Sequence, residues 1–108
     1  MLAARYLLDK GYAIREYNWR SGHKEIDLIA QCRDTIVFVE VKSRATEAYG
    51  LATDAVTPQK MQRLITAAEA YIQGHRIDLD YRFDVITVVG DGECHKIEHI
   101  EDAFIASW

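Results

Sequence analysis

Proline is nearly missing from this chain; Pro58 is the only one, and no Pro-rich or Gly/Ser-rich stretch accompanies it. Nothing in the 108 residues therefore reads as a linker between domains. No internal repeat or low-complexity segment appears either, so one domain spanning residues 1–108 is expected. A chain of this size buries roughly two-thirds of its unfolded surface, enough for a single core without covalent staples. Cysteine is equally scarce. Cys32 and Cys94 are too few for a disulfide framework and show no metal-ligand spacing, so both are expected as free thiols in a reducing compartment. Long apolar runs are absent, and none approaches the about 20 residues of a membrane span. Met1-Leu2-Ala3-Ala4 is followed at once by Arg5, a pattern unlike a signal peptide. A cytoplasmic protein without membrane contact is the expectation.

Positive charge is the remaining shortage. The chain has 13 Lys/Arg against 17 Asp/Glu, a net charge of −4. The deficit is uneven. Residues 1–77 hold 11 Lys/Arg and 9 Asp/Glu, a balance of +2, whereas residues 78–108 hold 2 and 8, a balance of −6. Duplex binding through phosphates alone is expected to be weak, because that affinity scales with the cations a surface offers.

The pattern that is present alternates helical and extended signals. Ala3 to Lys10 reads as a helix closed by Gly11. Tyr12 to Trp19 is an imperfectly alternating strand, and Arg20 to His23 a polar turn. Glu25 to Ala30 and Thr35 to Lys42 are rich in β-branched residues and read as strands joined by a hairpin at Arg33-Asp34. Ser43 to Thr57 reads as a long loop containing Gly50. Thr57 then caps a helix starting at Pro58, with Met61, Leu64, Ile65, Ala68 and Ile72 at helical spacing and Gly74 at its end. Tyr81 to Val89 is a strand, Gly90 to Gly92 a turn, Cys94 to Ile97 another strand, and Glu101 to Ala106 a short final helix. The order predicts an α/β protein with helices flanking one mixed central sheet.

Within that order, four residues form a chemical constellation. Strand alternation puts Glu25 and Asp27 on one side, with Ile26 and Leu28 opposite, and gives Glu40 and Lys42 a shared face. A two-residue turn at Arg33-Asp34 would set Asp27 across from Glu40 and Glu25 across from Lys42. Carboxylates about 4 Å apart repel by roughly 4 kcal/mol at an effective dielectric of 20. A shared proton or a divalent cation relieves that cost. Mg²⁺ is bound by one or two carboxylates plus waters and substrate phosphate, so Asp27 and Glu40 are candidate metal ligands, with the Val41 carbonyl a third. Lys42 would orient a water at the metal, and Glu25 would position Lys42 or reach a second ion. Against this, an E-x-K triplet on its own decorates many sheets that catalyse nothing.

Gly11-Tyr12, Glu25-Ile26-Asp27-Leu28-Ile29-Ala30 and Val37-Phe38-Val39-Glu40-Val41-Lys42-Ser43-Arg44 together resemble the YraN-type family of bacterial proteins. Tyr49-Gly50, Val56, Lys60, Arg63 and Arg82-Phe83-Asp84-Val85 continue the likeness, which runs from about residue 3 to residue 90. That family is similar to archaeal Holliday-junction resolvases and belongs with the PD-(D/E)xK nucleases. The resemblance implies a restriction-endonuclease-like α-β-β-β-α-β core. It also implies metal ligands at Asp27 and Glu40, a catalytic lysine at Lys42, Mg²⁺ or Mn²⁺ as cofactor, DNA as partner, and a homodimer as the assembly the resolvases suggest. Two positions depart from the pattern. An acidic residue normally precedes the Ala-Ala pair of the first helix, where this chain has Met1-Leu2, and Lys24 replaces a glycine before Glu25. A catalytically inactive nucleic-acid-binding module with the same fold is therefore the alternative to an endonuclease acting on branched or otherwise structured DNA.

Other residues are weighed more simply. Ser43, Arg44, Lys60 and Arg63 follow the site or open the next helix, where phosphate contact competes with ordinary solvation. His23, His75, His95 and His99 lack metal-ligand spacing. Trp19 and Tyr17 suit sheet-face packing better than base stacking. Asp84, alone in an apolar strand, is either a buried polar group near the site or an exposed alternate position.

Overall fold

Strand β3 (Thr35–Arg44) lies at the centre of the sheet because it can be buried on both faces. Ile36, Val37, Phe38 and Val39 are all inaccessible to within 1%. The computed structural model describes residues 1–22, 24–44, 57–91 and 94–104. In chain order its elements are α1 (Leu2–Asp9), β1 (Ala13–Ser21), β2 (Lys24–Cys32), β3, α2 (Pro58–Gly74), β4 (Asp80–Asp91) and β5 (Cys94–Phe104). The five strands lie in the order β1-β2-β3-β4-β5, with β3 and β4 parallel and every other neighbouring pair antiparallel. This is the α/β architecture with one mixed sheet that the sequence predicts.

The helices cover opposite faces. Leu64, Ile65, Ala67, Ala68 and Tyr71 of α2 pack with Ile29, Ile36, Phe38 and Phe83 on one side. Ala3, Ala4 and Leu7 of α1 pack with Leu28, Ala30, Val37, Val39 and Ile86 on the other. Local chemistry fixes both helix ends. Thr57 accepts the Lys60 amide at 3.2 Å with Pro58 immediately inside, so one orphan donor is satisfied. At the end of α1, Gly11 takes φ +94 and the Tyr12 and Gly11 amides donate to Leu7 and Leu8 carbonyls, both at 3.0 Å. That paired closure needs a residue free to adopt positive φ.

Several boundaries differ from the sequence reading: β1 takes in Arg20 and Ser21 of the expected polar turn, and β4 takes in Gly90 and Asp91 of the next. Strand β3 runs on through Ser43 and Arg44, which therefore belong to the sheet and not to a loop. Residues 45–56, His23, and residues 92–93 and 105–108 lie outside the described residues; the rest of the Ser43–Thr57 loop, with Tyr49-Gly50 and Val56, falls among them. Finally, Glu101 to Phe104 extend β5 and form no helix. Pairing with β4, including Val85↔Ile100 and Phe83↔Phe104, outweighs local helix propensity there, and a register shift accommodates Asp102 at φ +53. Cys32 and Cys94 are both free, and no helix among the described residues is long and apolar enough to cross a membrane.

Candidate functional site

The β2–β3 hairpin closes through the two-residue turn at Arg33-Asp34, with Arg33 at φ +57. Its ladder then runs in the expected register from Cys32↔Thr35 to Leu28↔Val39. Beyond that pair the strands stop matching. The Val41 amide donates to Asp27 Oδ2 at 2.9 Å, so a side chain takes a main-chain donor near the end of the ladder. Asp27 and Glu40 consequently meet at a parting of two strands and not as a cross-strand pair.

Alternation also breaks at Asp27. Ile26 packs with Ile29 on the α2 face, whereas Leu28 packs on the α1 face. Ile26 and Leu28 thus do not share a face, contrary to a strict two-residue period. Strand β1 carries the matching irregularity: Asn18, between the pairs Tyr17↔Leu28 and Trp19↔Ile26, has φ +48. Asparagine tolerates that conformation better than most residues. Trp19 thereby follows Ile26 to the α2 side, where its ring meets Tyr71 edge-on at 5.1 Å. Tyr17 stays 55% exposed. Sheet-face packing is the role of Trp19.

Glu40 continues the row Ile36, Phe38 on the α2 face and is only 5% exposed. Its Oε1 receives Lys42 Nζ at 3.3 Å and is also contacted by Lys60 Nζ from the first turn of α2. Two ammonium groups on one nearly buried carboxylate supply the compensation that burial of its charge demands. Asp27 lies close by. Burial raises its pKa, and the neighbouring Glu40 and Glu25 charges raise it further, against the opposing Val41 bond and Lys60 charge. Lys42 is pushed down by its contact with Lys60 and by burial. Lys60 moves up: burial is the largest single influence and opposes its charge, but the bonds to Glu40 and Lys42 and the Glu40 and Asp27 charges together outweigh it.

Glu25 does not lie across from Lys42. It pairs with Arg20 on β1, with Arg20 Nη2 3.4 Å from Glu25 Oε2, because the β2–β3 ladder has already ended. It also lines a cavity of about 350 Å³ with Lys24, Gln59, Lys60 and Arg63, between the start of β2 and the first turns of α2. Lys60 and Arg63 are thus brought to the site, whereas Ser43 and Arg44 lie further along β3. Lys24, which replaces the glycine of the resembled pattern, adds a cation to the cavity that sequence reasoning left unused.

The donor set suits a hard divalent cation. The second carboxylate oxygens, Asp27 Oδ1 and Glu40 Oε2, stand beside the two oxygens already engaged. One or two carboxylates completed by waters and phosphate is the ligand set Mg²⁺ takes.

Asp84 is the buried polar group of the two expected alternatives, but it does not lie near the site. At 1% exposure it is buried, and it faces α1, opposite the Asp27–Glu40 site. It accepts from Arg82 Nε and the Asp102 amide, both at 3.0 Å, and lies 2.7 Å from His99 Nε2. Arg82 Nη2 also reaches Glu101 Oε1 at 2.9 Å and the Tyr12 hydroxyl at 2.6 Å. Asp84, His99 and Glu101 converge closely enough to hold a metal ion, but the Arg82 guanidinium already bridges both carboxylates. The cluster pins β5 to the sheet and to the α1–β1 junction. Its one trace in the sequence is an aspartate, Asp84, inside a mostly apolar run.

A family model described as the uncharacterised protein family UPF0102 matches residues 1–88, in keeping with the family resemblance read from the sequence. A UPF0102 protein of Phocaeicola vulgatus is 47% identical over 102 residues, covering 94% of this chain and 84% of that relative. One from Flavobacterium psychrophilum is 44% identical, covering 95% and 87%, and one from Porphyromonas gingivalis is 43% identical, covering 95% and 78%.

Proposed function

This chain belongs to the uncharacterised UPF0102 family, and we propose that it is a divalent-metal-dependent endonuclease that hydrolyses phosphodiester bonds in branched or otherwise structured DNA. One observation carries the reading: Asp27 and Glu40, held where β2 and β3 part, share their site with the lysines Lys42 and Lys60. A Mg²⁺ or Mn²⁺ ion held by Asp27, Glu40 and the Val41 carbonyl would supply Lewis-acid stabilisation of the scissile phosphate. Lys42 orients the attacking water and offsets charge developing on the phosphate oxygens. Lys60 leaves Glu40 for a phosphate oxygen, Arg63 and Lys24 hold the neighbouring phosphates along the cavity, and Glu25 stays paired with Arg20 at its rim. The setting is the cytoplasm, where Cys32 and Cys94 stay reduced. A second copy of the chain would pool two such basic edges on one substrate.

One observation favours a second reading. Glu40 is already compensated by two ammonium groups without a metal, which suits an inactive nucleic-acid-binding module. The two readings separate in a cleavage assay on branched, flapped, single-stranded and duplex DNA with and without Mg²⁺ or Mn²⁺. Metal-dependent nicking that disappears in Lys42→Ala supports the enzyme. Binding without cleavage of every substrate assigns the module.

A further inference from the structure

Thr87 of β4 is wholly buried, yet its hydroxyl has no hydrogen-bond partner among the described residues. Unsatisfied buried hydroxyls are rare and destabilising, and valine has nearly the same shape without that cost. Its position is informative. Lys42 and Thr87 are register partners in the parallel β3–β4 ladder. The preceding partners, Val41 and Ile86, both pack on the α1 face, so Lys42 and Thr87 share the α2 face with Glu40. The idle acceptor therefore stands on the strand beside the lysine of the proposed site.

Resting on the nuclease reading, we infer that Thr87 is a positioning residue whose hydroxyl receives the Lys42 ammonium when a divalent cation claims Glu40. Both lysines sit on Glu40 Oε1, so a doubly charged ion on the same carboxylate repels both ammonium groups. Lys60, on the first turn of α2 and 37% exposed at its side chain, can turn outward to solvent or phosphate. Lys42 is fixed to a central strand and only 24% exposed at its side chain. Among the described residues the Thr87 oxygen is a free acceptor on the neighbouring strand, and docking there would keep the ammonium at the site.

The test compares Thr87→Val, Thr87→Ala and Thr87→Ser with the wild-type chain in two measurements: thermal melting without metal, and calorimetric titration with Mn²⁺ and Mg²⁺. Thr87→Val should melt at or above the wild-type temperature, because it removes an orphan hydroxyl. It should bind the cations about tenfold more weakly, because a Lys42 ammonium without that acceptor stays on Glu40 in competition with the ion, a coupling of ordinary size. Thr87→Ala should show the same weakening should valine pack badly, and Thr87→Ser should restore wild-type affinity. Equal affinity in wild type, Thr87→Val and Thr87→Ala overturns the inference and leaves the nuclease reading intact. Weakening that serine does not rescue overturns it as well. Mn²⁺ binding that depends on the hydroxyl, in a protein that cleaves no DNA, upholds the inference and removes the nuclease reading. Absence of divalent binding in the wild type overturns both.

Discussion

Asp27 Oδ2 accepts the Val41 amide at 2.9 Å, just beyond Leu28↔Val39, the last matched pair of the β2–β3 ladder. One carboxylate thereby ends a hairpin and is left beside Glu40. The same bond predicts how the site responds to losing charge. Asparagine keeps a side-chain oxygen for Val41 but removes the charge that burial and Glu40 disfavour. Asp27→Asn should therefore melt several degrees above wild type in the absence of metal at neutral pH, on the order of 1 kcal/mol. Stabilisation by added Mg²⁺ or Mn²⁺, which follows RT ln(1 + [L]/Kd), should vanish in the variant. A lower melting temperature in metal-free buffer would show that the charge itself holds the hairpin together.

Asp84 carries the opposite sign. Burial alone would raise its pKa, but hydrogen bonds from His99, Arg82 and the Asp102 amide lower it below the ordinary value. A folded-state pKa below the unfolded one gives stability that is present above the unfolded value, about 3.9, and lost as pH falls through the folded value. Asp84→Asn should cost about 3–5 kcal/mol at neutral pH, because Arg82 is left without its buried partner. Denaturant midpoints measured from pH 7 down to pH 2 should also fall less steeply in the variant than in wild type. Parallel curves would remove Asp84 as a source of acid sensitivity.

Asn18 predicts a purely conformational effect. Its φ of +48 lies opposite the point where β2 changes face. A residue with a Cβ and no local hydrogen bonding pays about 1–2 kcal/mol for that backbone. Asn18→Ala should lower the urea midpoint accordingly, whereas Asn18→Gly should stay close to wild type. Equal losses in both would point to the side chain and not the backbone.

How far the sequence led depends on the range of each interaction. The Thr57-Pro58 helix start, the Gly11 closure and the Arg33-Asp34 register depend on neighbours a few residues apart, and each is found where local chemistry puts it. Glu40 and Lys42 share a face because β3 alternates without interruption. The break at Asp27 was invisible because the two-residue period assumes an unbroken ladder, and the interruption depends on Asn18 in another strand. The Arg82–Asp84–His99–Glu101 cluster draws on two strands and Tyr12. No spacing rule within a single segment could assemble it. Glu101 to Phe104 look helical alone and become strand only when β4 is beside them.

Binding and chemistry should separate cleanly between Arg63 and Lys42. Arg63 is exposed and lines the cavity with Lys24 and Lys60, whereas Lys42 lies against Glu40 at 3.3 Å. Each phosphate neutralised contributes about 0.9 to the slope of log affinity against log salt on duplex DNA. Arg63→Gln should therefore weaken binding on every DNA structure alike and reduce that slope by about one, with the single-turnover rate at saturating DNA unchanged. Lys42→Ala should leave the slope near the wild-type value and reduce the single-turnover rate by about 10²–10⁴. Fluorescence anisotropy across a salt series and quenched-flow cleavage measure the two quantities independently. An unchanged slope in Arg63→Gln would place the phosphate path away from the α2 cavity. A Lys42→Ala protein that cleaves at the wild-type rate would remove the lysine from the chemistry.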